Sequence, residues 1–384
     1  MTETIDYFPL KIAKGEQFIN RLDEKALLNR NIEFVRHTVL LAPRRYGKSS
    51  LVYKVAEENK APFVVVDLFL AHDDQAITKR ILLGVSEAVS QIMPLTTKAL
   101  SGIQKYFNNF KVSFSTHGFQ IMLTHESGVT QPVDQIFDAL KNLSELAESK
   151  KQKVIFFIDE FQDIAGAESS KSIEGALRHV AQSTEFLVFI FSGSTRHLLL
   201  ELFDDSKKPL YKLCDKVMIE RISANHYVSY LHKSAKKQWK QHLEDDIIIR
   251  ILTLTELHPF YINMLCNELW KNEKIPTVNC VSKAWQICYE QEERWAIAEI
   301  EKLTDNQQDL LKAFALQPTS EPMGQLFLTS TGLPLSSLRM SLRNLLEKDF
   351  LYQIKKEDAS LPFLKIGEYR VLDPLIAYAL RKYS

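Results

Sequence analysis

A chain of 384 residues has room for two or three domains with cores of their own. Its 45% hydrophobic and 25% charged residues are ordinary for a water-soluble globular protein, and Lys+Arg balance Asp+Glu at 48 each, so no global field pulls nucleic acid toward it. MTETIDYFPL shows no signal peptide, the longest apolar runs (VIFFI, 154–158, and FLVFIF, 186–191) are too short to span a bilayer, and Cys214, Cys266, Cys280 and Cys288 lack CxxC spacing. These features predict a cytoplasmic protein with buried, reduced thiols, no zinc site and no membrane partner.

Along the chain, residues 38–41, PFVVVDLF (62–69), KVIFFIDE (153–160) and FLVFIFSG (186–193) read as strands. The first, third and fourth are continuously apolar, as parallel strands buried on both faces require. Between them SLVYKVAEE (50–58) and VDQIFDALKNLSELAES (133–149) place apolar residues three and four apart, the spacing of a helix with one buried face. Strands alternating with helices predict a doubly wound α/β sheet. Residues 110–131 break that rhythm by alternating around a turn at His117–Gly118, which predicts a β-hairpin insertion at about 110–125. After about residue 222 the strands stop, and helical patterns such as HYVSYLHKSAKKQW and DDIIIRILTLTE run to about 300. The remainder reads as three helices, the first after a cap-like Thr304, followed by FLYQIKK (350–356) and EYRVLD (368–373) around a polar turn. That order resembles a winged helix-turn-helix. The predicted domains are 1–222, 223–300 and 301–384.

Chemistry concentrates in three places. In LAPRRYGKSSLV (41–52), Ala42-x4-Gly47-Lys48-Ser49 follows a buried strand and precedes a helix starting near Lys48. A phosphate cradle needs these parts: backbone N–H groups converging on anionic oxygens, a flexible glycine, a lysine, and a hydroxyl for Mg²⁺. Residues Ala42, Pro43, Arg44, Arg45, Tyr46, Gly47, Lys48, Ser49 and Ser50 form this candidate loop. VIFFIDE then ends a buried strand in Asp159-Glu160. Asp159 is placed to hold Mg²⁺ and Glu160 to activate an attacking water, with Lys48 assisting catalysis. The next strand ends in Ser192-Gly193-Ser194-Thr195-Arg196, where Ser194 or Arg196 can report a γ-phosphate.

Together these pieces resemble the prokaryotic archaeal-type ATPases of the STAND branch of AAA+ proteins, relatives of the origin-recognition initiators, over nearly the whole chain. APRRYGKSSL is similar to that family's GPRRxGKTSL, IDEFQDI (158–164) to its Walker B segment, and FSGSTRHLLLELF (191–203) to its sensor strand and helix. The resemblance implies that Phe18-Ile19-Asn20-Arg21 lines an adenine pocket, so Phe18 and Arg21 join the candidate nucleotide site. LHPFYINML (257–265) looks like the family's GGHPYYLQ, which implies that His258 and Pro259 touch nucleotide from a helical lid. EYRVLDPLIAYALR (368–381) resembles the ending of the family's winged helix. Three positions depart from the pattern: Ala42 replaces the first glycine, Leu257 stands at a lid glycine, and Leu213 in KPLYKLCD occupies the arginine of SPLYGRA. If that arginine acts as a finger in the family, its absence implies slow hydrolysis, because a planar arginine fork is worth roughly 10³–10⁵ in rate.

The expectation is therefore an α/β P-loop NTPase domain of AAA+-like type, followed by an all-α lid and a C-terminal winged helix. It is expected to bind ATP and Mg²⁺ as a conformational switch. Alternative readings are a winged-helix regulator of double-stranded DNA with a mainly structural ATP site, and a homo-oligomeric scaffold that docks a separate effector protein. For the DNA reading, LSSLRMSLRNLLEK (335–348) offers Ser336, Arg339, Met340 and Arg343 outward. Residues 302–384 carry a net charge of only +2, however. Residues 206–242 carry nine Lys/Arg against Asp215 and Glu220, including a basic ridge of Lys233, Lys236, Lys237 and Lys240.

Overall fold

Strands that are apolar on both faces must be covered on both faces, and the covering helices then leave only the strand ends for polar chemistry. The computed structural model describes residues 6–93, 97–115, 118–121, 131–355 and 364–382. They gather into two units. One comprises Leu22–Arg44 and Leu51–Ile219. The other joins Arg45–Ser50 and Glu220–Ser384 with the N-terminal segment up to Arg21.

The first unit runs α1 (Leu22–Glu33), β1 (Thr38–Leu41), α2 (Lys48–Asn59, in this unit from Leu51 on), β2 (Phe63–Asp67), α3 (Asp74–Ile92) and α4 (Thr97–Tyr106). It continues with β3 (Val112–Ser115), β4 (Gly118–Ile121), α5 (Pro132–Ser149), β5 (Val154–Asp159), α6 (Ser170–Ser183), β6 (Leu187–Gly193), α7 (Arg196–Asp204) and β7 (Asp215–Met218). Five strands form one parallel sheet in the order β2-β5-β6-β1-β7. All of β1 and β6, and all of β5 except Asp159, are buried, whereas β2 alternates as an edge strand should. β7 has no counterpart in the sequence reading. On the opposite edge only its Val217 is buried, so it carries no apolar run to detect. β3 and β4 pair antiparallel, and the expected turn at His117 lies outside the described residues.

The second unit holds α8 (Ala224–Trp239), α9 (Asp245–Thr255), α10 (Pro259–Leu269) and α11 (Val278–Glu301). α12 (Asp305–Leu316), α13 (Gln325–Thr331), α14 (Leu335–Glu347), β8 (Leu351–Gln353), β9 (Tyr369–Val371) and α15 (Pro374–Lys382) complete it. Thr304 opens α12 through a capping box with Gln307, which satisfies two end N–H groups reciprocally. β8 and β9 pair antiparallel, and residues 356–363, where the polar turn was expected, are outside the described residues. One core, built around Tyr227, Tyr261, Trp285, Tyr289 and Phe314, runs through these helices and also takes in Phe8 of the N-terminal segment. No helix among the described residues is long and apolar enough to cross a membrane.

One expectation needs correction. Cys280 is exposed rather than buried, because it lies on the first turn of α11, where the helix has not yet entered the core. The lysine ridge on α8 is partly neutralised: Lys237 and Lys233 both pair with Glu16, at 2.6 and 3.4 Å.

In the sheet unit, His37 bridges β6 and α6. Its Nδ1 accepts the Phe189 N–H at 3.1 Å, so Nε2 carries the proton and donates to the Ala181 carbonyl at 2.8 Å. Burial pushes its pKa below the usual value, partly opposed by the Ala181 contact. The folded state thus refuses a proton that the unfolded chain accepts below about pH 6.5. Its contribution to stability is full above that pH and is lost as the pH falls. Urea midpoints should therefore drop between pH 7.5 and 5.5, and His37→Asn, which cannot titrate, should show a flatter profile. An equally steep profile in the variant would show that His37 is not responsible.

Candidate functional site

The carboxyl ends of β1, β5 and β6 meet at one edge of the sheet, with Leu41 in register with Gly193 and Ile158 with Phe191. From β1 the chain crosses to the β2 edge, and from β6 it crosses to the β7 edge. Such a reversal opens a crevice beyond the strand ends, the usual ligand position in open α/β sheets. β1 delivers the buried Ala42 and Pro43 and the exposed Arg44 to this edge.

Asp159 ends β5 beside Ser192, whose hydroxyl donates to Asp159 Oδ1. The same oxygen accepts the Glu160 N–H at 3.0 Å. Glu160 sits in the left-handed region (φ 51°), which turns its side chain out of the strand direction. Its Oε2 accepts three hydrogen bonds: from Ser194 Oγ at 2.7 Å, Gln162 Nε2 at 2.7 Å and the Ser194 N–H at 3.0 Å. A Cβ at Gly193 would lie 1.9 Å from Gln162 Oε1, so a larger residue there would force the Gln162 side chain to move. Arg196 opens α7 two residues on, half-buried. Sequence reasoning missed Ser192 and Gln162. Ser192 was legible as the polar residue closing an apolar strand, whereas Gln162 gives no signal.

In the second unit the tip of the candidate loop is held by side chains far away in sequence. Arg45 (φ 66°) and Gly47 (φ 86°) both take positive φ, so the backbone doubles back twice before Lys48 and Ser49 open α2. Lys48 is buried, and Ser50 Oγ accepts the Ala13 N–H at 3.1 Å. The Arg45 guanidinium lies over the Phe260 ring at 4.2 Å and near Trp295 at 5.6 Å. Tyr46 is buried edge-on against His258, with ring centroids 4.8 Å apart. Its carbonyl accepts Arg21 Nη2 at 3.2 Å, and its hydroxyl accepts Arg221 Nε at 3.1 Å. Arg21 also donates to the Glu220 carbonyl at 2.5 Å. Phe18 is half-buried just before the strained pair Asn20–Arg21 (φ 56° and 72°).

His258 caps α10 and Pro259 is its first residue, where a missing N–H costs nothing. Burial, reinforced by Arg221 and Arg45, pushes the His258 pKa well below its usual value, so the ring is neutral at pH 7. Its Nδ1 is buried without a hydrogen-bond partner. The two preceding residues, Glu256 (φ 46°) and Leu257 (φ 62°), are both left-handed. Leu257 tolerates a position suited to glycine because its side chain is fully buried in the core, and the Glu256 carboxylate is drawn toward Arg370 at 3.3 Å.

Each unit carries residue types suited to a nucleotide and Mg²⁺. In the second unit residues 47–49 include a glycine, an ammonium and a hydroxyl. In the sheet unit Asp159 ends β5 with one oxygen anchored by Ser192 and the Glu160 N–H. Among the described residues no group of three or more His, Cys, Asp or Glu could hold a metal. Mg²⁺ does not need one, since it takes one or two protein ligands and completes its shell with water and phosphate. Leu213, at the position of the absent arginine, packs against the core of the sheet unit.

The fold compares over its full length with solved structures. The Walker-type ATPase PABY2304 of Pyrococcus abyssi superposes with a TM-score of 0.69 at 20% identity, covering 98% of this chain and 99% of that one. The chain has the fold of a Walker-type P-loop ATPase. The Aeropyrum pernix ORC2 protein shares it in ADPNP–ADP complexes (TM-score 0.56, 11% identity, 96% of each chain) and in its ADP form (0.54, 12%, 98% and 97%). No protein-family model matches the sequence, and no curated protein does.

Within this ATPase fold, Gly193→Ala is expected to cost about 1–3 kcal/mol by overpacking against Gln162. Gln162→Ala in the same chain should recover part of that loss if the clash is with that side chain. Urea denaturation of the two single variants and the double variant measures the coupling, and strict additivity would refute it.

Proposed function

We propose that this chain binds ATP with Mg²⁺ and hydrolyses it slowly, acting as a nucleotide-dependent conformational switch. The observation that carries the reading is the Asp159–Glu160 pair, fixed at the carboxyl end of β5 by Ser192, Ser194 and Gln162. Lys48 and the N–H groups of the loop would neutralise and orient the phosphates, with Ser49 and Asp159 holding Mg²⁺. The bound ion would supply neutralisation of phosphate charge. Glu160 would accept the proton of the attacking water, and Ser194 and Arg196 would lie beside the terminal phosphate. Slow turnover follows from two features. Glu160 Oε2 already accepts three hydrogen bonds, which compete with an attacking water for that oxygen. Leu213 supplies no cation. The ADPNP–ADP complexes of the similarly folded A. pernix ORC2 protein support a nucleotide ligand. On this reading residues 1–222 form the ATPase domain, 223–300 the lid and 301–384 a winged helix.

The output favours a protein partner over DNA. α14 exposes Ser336, Arg339, Met340 and Arg343, but Arg343 is already paired with Glu347 at 2.8 Å. Met340 on α14 and Leu326 on α13 are strongly exposed apolar residues. Exposed apolar side chains suit an effector protein or a second copy better than a run of phosphates.

Titration with ATP and a turnover assay test the reading. Lys48→Ala should bind ATP at least about tenfold more weakly, through loss of a charge-assisted contact. Glu160→Gln should retain binding and lose about 10²–10⁴ in rate, the ordinary worth of a general base. A wild type that binds no ATP would sink the proposal, and duplex DNA that stimulates turnover would restore the DNA regulator as the better account.

A further inference from the structure

Arg221 belongs to none of the motifs, yet it is buried at the junction of the loop tip, the lid helices and the C-terminal segment. Its Nε donates to the Tyr46 hydroxyl at 3.1 Å, Nη1 to the Glu256 carbonyl and Nη2 to the Leu372 carbonyl at 2.8 Å. Its plane lies over the Tyr352 ring at 4.2 Å. Tyr46 is in the loop, Glu256 precedes α10, Leu372 follows β9 and Tyr352 is in β8. A guanidinium is a rigid planar fork, so a shift at one donor swings the other two. In a buried setting each broken contact leaves an unsatisfied polar group, which makes the three bonds mutually dependent.

We propose that Arg221 is a positioning residue for the nucleotide site. It holds the phosphate loop through Tyr46 and ties the state of that loop to the C-terminal segment through Leu372 and Tyr352. The proposal rests on the nucleotide reading above. Phosphate binding fixes the backbone N–H groups around residues 45–49, and Tyr46 cannot follow that backbone without moving its hydroxyl. Glu256 supplies a counterweight on the far side. Its carboxylate is shared with Arg370 at 3.3 Å and with Arg381 and Arg221, each at 3.8 Å, so the C-terminal segment has an alternative partner when Arg221 shifts. Arg21, bonded to the Tyr46 carbonyl, fixes the other side of the same residue.

Hydrogen exchange of the full-length chain with and without Mg²⁺ and the slowly hydrolysed analogue ATPγS tests this. In the wild type, exchange at residues 350–355 and 368–373 should change at least about fivefold on binding, the lower end of ordinary allosteric coupling. Coupling is reciprocal, so Tyr352→Leu should weaken ATPγS binding by a similar factor. Tyr352→Phe keeps the ring and removes only a hydroxyl that is buried without a partner, so it should behave as wild type. Arg221→Lys should raise KM for ATP and leave kcat nearly unchanged. Binding without any change at 350–355 and 368–373 overturns this inference and leaves the nucleotide reading standing. So does Tyr352→Leu with wild-type affinity. Absence of ATPγS binding in the wild type overturns both.

Discussion

Burial of the sheet on both faces is the constraint that organises the chemistry of this chain. A strand such as β6, with all seven residues buried, has no polar side chain free to act along its length until Ser192. The only positions where a carboxylate or hydroxyl can face a ligand are those at which the strand leaves the core. That is why Asp159, Glu160, Ser192 and Ser194 fall within a few residues of strand ends. In-register parallel pairing then sets Ser192 beside Asp159 without any local sequence relation between them. The cost of burying a polar group without a partner enforces the same outcome, since each member of the cluster is hydrogen-bonded to another.

Several of the left-handed residues lie in the candidate site and its neighbours. Glu160, Arg45 and Gly47, Asn20 and Arg21, and Glu256 and Leu257 all have positive φ. Apart from Gly47 these are not glycines, and left-handed backbone at such residues persists only where surrounding contacts over-determine it. Four of them have such contacts: Ser194 and Gln162 on Glu160, the Phe260 ring under Arg45, the Glu220 and Tyr46 carbonyls on Arg21, and Arg370 on Glu256. These four residues are therefore held by contacts of the candidate site and its neighbours.

Much of this was legible in advance. The apolar runs at 38–41, 154–158 and 186–191 named three central strands, because double-sided burial leaves an unbroken apolar signature. Gly47-Lys48-Ser49 and Asp159-Glu160 stood out because the phosphate and metal chemistry proposed for them restricts residue type and spacing within a few positions. β7 was not readable, since an exposed edge strand with one buried residue differs little from a loop. Nor were the contacts of the candidate loop's middle, where the Arg45 and Tyr46 side chains engage Phe260 and Arg221.

The sequence by itself determined the strands, the helix faces and the chemical inventory of the site, because these depend on periodicity and on side-chain type over short spans. Only the tertiary structure decided which groups meet. Tyr46 finds Arg221 across 175 positions, and Arg221 finds Leu372 across 151. No local pattern encodes such a pairing. It is settled by where packing places each backbone, and by the penalty for leaving a buried arginine donor without an acceptor.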